Sequence, residues 1–214
     1  MSLVIELEEK QKRVCRQLLT TMVSYLKKIG IENASLADSE EEIYGAGGMY
    51  REPIIKLQGQ NIDTIRIHSV DSLTCGYGCV SSRFQYEIVN KNVSYKEDQK
   101  LSAKTKAVRK NILGIPAGEI TDIKWSGNEL AQILNNDQSI SKIFNKCNKS
   151  WKNMEFEVRV VPSQMIQIRS PEFTDMNYIQ RLYSTEHKEP LEDCIFGFNI
   201  ASKIAGHIKE LLGQ

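Results

Sequence analysis

The sequence predicts an α+β fold with a mostly antiparallel sheet, a long N-terminal helix and a packed C-terminal helix. The predicted strands follow one another in runs rather than alternating singly with helices, which favours antiparallel pairing over a parallel βαβ arrangement. Apolar residues recur at helical spacing near both ends of the chain. The length of 214 residues and the lack of a long flexible linker favour one domain over residues 1–214.

The N-terminal segment has the apolar periodicity of a single long helix. Apolar residues recur at helical spacing across residues 3–29, and Gly30 then supplies a C-terminal stop. Such a helix would be about 40 Å long, which exceeds the core of one domain of this size. We therefore predict a helical arm over residues 1–30 that contributes to a homo-oligomer, most simply a homodimer. The alternative is a helix that straps its own domain.

The first half of the chain has the alternation and the glycine-rich turns of an antiparallel meander. An acidic stretch over residues 38–42 leads into Gly45-Ala-Gly-Gly48, which is typical of a turn. A phosphate-binding loop is the alternative for these glycines, but that motif requires a following helix, and a strand is predicted instead. The predicted strands of this half cover residues 54–58, 64–70 and 80–89.

The strand over residues 80–89 has the clearest two-residue period. Phe84, Tyr86 and Ile88 alternate there with polar residues. The period predicts that these three side chains face the core and that the polar residues between them face water.

The second half of the chain mixes helical and strand patterns. Glycines on both sides of Pro116 interrupt the chain and leave an inner boundary near residues 112–118 open. The sequence Ser126-Gly-Asn-Glu129 matches a capping box, in which the serine caps the helix and the glutamate reaches back to it. The predicted elements are a helix over 96–112, a strand over 120–125, a helix from Ser126 to Cys147, a hairpin over 154–168, and a C-terminal helix between Pro190 and Gly213.

The overall charge and the cysteine count exclude several classes of protein. Twenty-eight Lys and Arg residues against 27 Asp and Glu residues give a net charge of +1, so no global field attracts nucleic acid or an anionic membrane. Five cysteines are an odd number in a chain too long for a secreted disulfide scaffold, which favours reduced thiols. No stretch approaches the ~18 to 20 apolar residues of a membrane span. We therefore predict a soluble, cytoplasmic protein without a membrane span.

The sequence Thr74-Cys-Gly-Tyr-Gly-Cys79 is the sharpest local motif. It places the thiols of Cys75 and Cys79 four residues apart on a glycine-rich turn, with His68 seven residues upstream. Zinc is the cofactor that this pattern would fit, but a structural zinc site needs four ligands and the second pair is missing. The competing interpretation is a loop with small, semi-apolar cysteines packed beneath it.

The segment over residues 91–110 concentrates positive charge, with seven bases and two acids. Its candidate anion-binding residues are Lys100, Lys104, Lys106 and Arg109. A polyanion or an acidic protein would be its partner, although Tyr95 alone provides little base stacking. The alternatives are a solvated helix face and a pairing with the acidic stretch over residues 38–42, within the molecule or across a dimer.

No catalytic motif dominates the sequence, which contains neither Gly-x-Ser-x-Gly nor His-Glu-x-x-His. The distinctive features lie on surfaces and on a long helix, which favours a non-catalytic binding or assembly module. The alternative is a small enzyme, or a metal or redox site, built around Cys75, Cys79 and His68.

Overall fold

A computed structural model of the chain divides into two compact units. The first comprises Met1–Phe84 with Phe173–Ile195, and the second comprises Gln85–Glu172 with Phe196–Gln214. This division does not fall near residues 112–118, and the single domain stays a prediction. The residues that the structure describes are 2–45, 48–72, 79–90, 93, 98–110, 120–146, 155–161, 165–171 and 191–213.

Helices and antiparallel strands make up both units, which confirms the predicted mixed α+β class. Every described strand pairing is antiparallel. None of the helices in the described part of the chain has both the length and the apolar content that crossing a membrane requires.

The first unit packs a helix against a meander. Its elements are α1 (Ser2–Lys28), β1 (Ser35–Gly45), β2 (Gly48–Lys56) and β3 (Thr64–Ser72). Gly45 pairs with Gly48, as the predicted turn requires, although residues 46 and 47 lie outside the described part. The helix and the strands contribute the buried side chains of Leu19, Met22, Leu26, Ile55 and Ile65.

The end of α1 confirms the predicted stop at Gly30. Gly30 has a φ of +93°, which a residue with a side chain rarely adopts. The amide of Gly30 donates to the carbonyl of Lys27, and the amide of Ile31 donates to the carbonyl of Leu26. This pair of bonds is a Schellman motif, which satisfies carbonyls that the helix leaves without intrahelical partners.

The acidic stretch over residues 38–42 lies within β1, and two of its acids have basic partners in the first unit. Asp38 Oδ1 lies 3.1 Å from Arg16 Nη1, and Glu40 Oε1 lies 3.3 Å from Lys56 Nζ. Within the first unit, these bases are the ion-pair partners of the two acids.

The second unit is a sheet with helices between its strands. The strands take the spatial order β4-β8-β7-β5-β6, and β4 enters this unit at Gln85. The elements are β4 (Cys79–Val89), α2 (Asp98–Leu101), β5 (Ala103–Arg109), β6 (Ile120–Gly127), α3 (Glu129–Asn136), α4 (Gln138–Lys146), β7 (Glu157–Val161), β8 (Met165–Arg169) and α5 (Leu191–Leu211).

Strand β4 confirms one half of its prediction and contradicts the other. Phe84, Tyr86 and Ile88 are at most 2% exposed, as the alternation predicts. Gln85 and Glu87 were expected to face water, but they too are buried. The side-chain Nε2 of Gln85 donates to Glu87 Oε1 at 2.7 Å. A hydrogen-bond partner of this kind offsets the cost of burying polar side chains.

The helix predicted over residues 96–112 is wrong. Among the described residues of this range, only Asp98–Leu101 is helical, and Ala103–Arg109 forms β5 between β6 and β7. Ala103 and Thr105 are buried while Lys104 and Lys106 are exposed, which is the two-residue period of a strand. Lysine and alanine favour helices locally, but pairing with two neighbouring strands overrides that preference.

The single helix predicted from Ser126 to Cys147 is also wrong, because it is two helices that meet at Asp137. Ser126 does not cap α3; its hydroxyl donates to the Lys104 carbonyl across the β5–β6 pair. Asn128 is the N-cap residue, and it makes no side-chain cap bond. The second helix, α4, has a true cap, since Asp137 Oδ1 accepts from the amides of Ser139 and Ile140.

The hairpin predicted over residues 154–168 is confirmed by β7 and β8, which pair in register from Glu157–Arg169 to Val161–Met165. Met154 lies outside the described residues. Helix α5 begins after Pro190 and is followed by Gly213, as the sequence predicts. Its buried residues in the second unit are Phe196, Phe198, Ile200, Ala201, Ile204, Ala205 and Ile208.

Gly197 allows α5 to approach the buried ring of Tyr86. A Cβ atom at Gly197 would lie 2.5 Å from Tyr86 Oη, and that oxygen ends a rigid, fully buried ring. Glycine inside a helix normally costs about 0.5 to 1 kcal/mol relative to alanine, so this position gives up helix propensity for close packing.

We expect Gly197→Ala to destabilise the protein by about 1 to 3 kcal/mol, the range for overpacking, instead of stabilising the helix. Urea unfolding measures the change. Tyr86→Phe removes the conflicting oxygen. The cost of Gly197→Ala should therefore be smaller when it is measured in the Tyr86→Phe variant than when it is measured in the parent. A Gly197→Ala protein as stable as the parent would contradict the close approach.

Candidate functional site

The β5–β6 hairpin places three lysines on one exposed face of the second unit. Its register pairs Lys104 with Ser126, and Lys106 with Lys124. Directly paired residues of an antiparallel ladder share a face, so Lys104, Lys106 and Lys124 lie together. All three are exposed, and we call them the lysine face.

The lysine face is only partly neutralised. Lys104 Nζ lies 3.1 Å from Glu155 Oε2, and both side chains are about half exposed. Lys106 and Lys124 have no carboxylate within ion-pair distance among the described residues. Two directly opposed lysines repel each other, and they remain an adjacent pair of cationic groups open to an anionic ligand.

The predicted anion-binding residues divide between two groups. Lys104 and Lys106 both belong to the lysine face, because residues two positions apart on a strand point to the same side. Lys100 is exposed but lies in α2, and Arg109 is half-buried beyond a register shift in the β5–β6 ladder. Lys91 and Lys96 lie outside the described residues.

Lys124 was not among the predicted residues. It could have been found only by recognising that residues 103–109 form a strand paired with residues 120–127. The alternation of Asp122, Ile123, Lys124 and Trp125 is visible in the sequence and carries part of this signal.

The described side chains do not test the predicted zinc ligands. His68 belongs to β3 and Cys79 begins β4, while Cys75 lies outside the described residues. Within the described part of the chain, no three His, Cys, Asp or Glu residues are grouped so that they could hold a metal ion. The zinc or redox site therefore stays a prediction.

A second polar cluster joins α5 to the α3–α4 junction. Nε2 of His207 lies 2.8 Å from Asp137 Oδ2, and its Nδ1 lies 3.3 Å from Glu210 Oε2. The Ser139 hydroxyl donates to Asp137 Oδ1 at 2.6 Å. A catalytic triad requires the serine to bond to the histidine, whereas here both bond to the aspartate. The cluster is a structural clasp around the Asp137 carboxylate.

The clasp holds Asp137 in its charged form. Burial acts to raise the pKa of its carboxyl group, but the hydrogen bonds from His207, from the Ser139 side chain and from the amides of Ser139 and Ile140 act more strongly in the opposite direction. The pKa therefore lies well below its ordinary value of 3.8. A lowered pKa means that the carboxylate stabilises the fold above about pH 4, and that this stabilisation is lost as the pH falls further.

We expect Asp137→Asn to lower the free energy of unfolding by about 1 to 2 kcal/mol near pH 7, because hydrogen bonds to a charged acceptor become neutral ones. Asparagine keeps Oδ1 for the cap, but its Nδ2 replaces the Oδ2 that faces His207 Nε2, so the change removes both the charge and that acceptor. The gap between variant and parent should narrow below about pH 4. Urea unfolding between neutral and acid pH measures it.

Glu210→Gln is the matched control, since the Glu210 side chain is 78% exposed and contacts the other ring nitrogen. It should change stability little at any pH. A gap for Asp137→Asn that stays constant from neutral to acid pH would contradict the assigned role.

The two clusters differ in what they can do. The clasp saturates its own hydrogen-bonding groups, whereas the lysine face offers cationic donors to a ligand that carries negative charge.

No protein-family model, curated protein or solved structure matches this chain.

Proposed function

We propose that this protein is a non-catalytic binding module whose lysine face contacts an anionic partner. The observation that carries the proposal is the direct opposition of Lys106 and Lys124. Like charges facing each other across a strand pair destabilise the pair, so this opposition is better explained by a ligand than by stability.

An alternative explanation is that the lysines protect a sheet edge. Lysine on an edge strand discourages pairing with other molecules, and Lys124 lies on β6, the last strand in the described order. Lys104 does not fit this explanation, because β5 pairs there with β6 on one side and with β7 on the other. The described pairing with β7 does not extend to Lys106.

The surroundings of the lysines favour a partner that bears negative charge on an extended surface. Lys106 and Lys124 carry adjacent charges, and Val108 beside them is 39% exposed. The net charge of the whole chain is only +1, so attraction has to be local. A polyanion or an acidic protein meets these conditions, as the sequence predicts for the segment over residues 91–110.

The remaining predictions belong to the same proposal. The helical arm, the homodimer and the cytoplasmic location describe the setting in which such a module would work. Light scattering of the full chain, compared with a chain lacking residues 1–20, tests the homodimer and the contribution of α1 to it.

We expect Lys106→Gln/Lys124→Gln to weaken binding to poly-L-glutamate by about tenfold and to lower the slope of log affinity against log salt, because fewer counterions are released. The variant should also be slightly more stable than the parent, by a few tenths of a kcal/mol, since the repulsion is removed. Calorimetric titrations at several salt concentrations measure the affinity.

Lys142→Gln/Lys203→Gln is the control. These lysines are exposed on α4 and α5, and their loss changes the net charge by the same amount. Its affinity should match the parent's. Equal losses in the two double variants would show that overall charge, and not the lysine face, governs binding.

A further inference from the structure

The outer side of β6 carries main-chain groups that point away from the sheet. Within the described part of the chain, β6 pairs with β5 alone. In an antiparallel ladder the main-chain groups of alternate residues point toward the partner and away from it. Trp125 belongs to the set that points away, because both its amide and its carbonyl bond outside the ladder, and Ile123 is in the same set.

Asn135 occupies the place that a residue of another strand would take beside Trp125. The amide of Trp125 donates to Asn135 Oδ1 at 2.8 Å, and Asn135 Nδ2 donates to the carbonyl of Trp125 at 2.9 Å. The amide of Ile123 donates to Asp122 Oδ1 at 2.8 Å. The β6 edge is thus covered by two short polar side chains, whose bonds an added strand would replace one for one.

A cleft of about 370 Å³ runs along this edge. Four consecutive β6 residues, 122–125, line it together with residues of α3 and α4, of which Leu134, Ile140 and Phe144 are themselves buried. A cleft that follows four consecutive residues of one strand suits an extended chain better than a compact molecule.

The two sides of β6 would select different side chains on such a chain. Residues directly opposite Lys124 would share the face of the lysines, and residues opposite Ile123 and Trp125 would share the face of α3 and α4. An acidic residue opposite Lys124 complements the lysine face, whereas Asp122 lies on that same face and does not favour an acid opposite it. Apolar residues complement the second face. The complementary sequence therefore places an acidic residue opposite Lys124, between two apolar ones.

From this geometry we infer that the β6 edge binds an extended acidic polypeptide as an additional antiparallel strand. The inference rests on the proposed function, because the acidic side chains meet the lysine face, and it names a polypeptide as the partner. Main-chain donors and acceptors at strand spacing are what the edge recognises, and sulfated sugars, polyphosphate and nucleic acids lack them.

The test uses the full-length protein and a blocked synthetic peptide of alternating glutamate and valine, about seven residues long, which is the length of a short strand. Two versions carry N-methyl groups, one on the valines and one on the glutamates. In an antiparallel addition the valine amides face β6 and the glutamate amides face away. Calorimetry should show at least about a tenfold loss of affinity for the valine-methylated peptide and none for the glutamate-methylated peptide.

Heparin separates this inference from the proposed function. If the parent binds heparin, and both methylated peptides bind as well as the unmodified one, the lysine face binds anions and strand addition is overturned. If neither heparin nor any peptide binds, the proposed function fails together with the inference. A selective loss with the valine-methylated peptide supports both.

Discussion

The register of β5 is the constraint on which the second unit depends. Thr105 is fully buried in this strand, and three hydrogen bonds join it to Phe156. The Thr105 amide donates to the Phe156 carbonyl at 2.9 Å, and the Thr105 hydroxyl accepts from the Phe156 amide at 2.6 Å and donates to the same carbonyl at 3.4 Å. These bonds join segments 51 residues apart. A slip of one residue would turn every side chain of β5 to the opposite face, which would bury Lys104 and Lys106 and expose Thr105. The lysine face exists because this register is fixed.

The aromatic core on the other face helps to hold β6 in place. Phe144 of α4 lies between Trp125 of β6 and Phe156, with ring centroids 6.3 and 5.9 Å away, and Phe196 of α5 lies 5.8 Å from it. Tilted and edge-on rings at such distances attract one another beyond the effect of burial. The clasp around Asp137 sets where α4 starts, and through α4 it sets where Phe144 lies. Packing on one face of the hairpin therefore supports the arrangement of charge on the other.

Sequence reasoning recovered the elements whose own pattern decides their structure. Phe84, Tyr86 and Ile88 alternate with polar residues at the two-residue period of a strand, and the segments that form β7 and β8 show the same alternation. It failed where local preference and tertiary pairing disagree. Over residues 96–112, lysine and alanine suggest a helix, but pairing with two neighbouring strands makes residues 103–109 a strand. It foresaw Lys104 and Lys106 as candidates but not Lys124, because their proximity comes from a pairing that the sequence does not display. The break at Asp137 was missed because Ser126 and Glu129 offer a more familiar capping pattern.

Asn135 makes the β6 edge a site of intramolecular competition. Its amide is tethered next to Trp125, so any chain that extends to Trp125 must first displace a group that is always present. If each of the two displaced bonds contributes about 1 kcal/mol, the competitor lowers the affinity of such a chain by roughly thirty-fold. A segment that binds only through its main chain would have to offset this loss with backbone bonds alone, whereas one that also places an acid beside the lysines would gain an ion pair. The Asn135 side chain thereby disfavours the non-specific strand addition to which open sheet edges are prone.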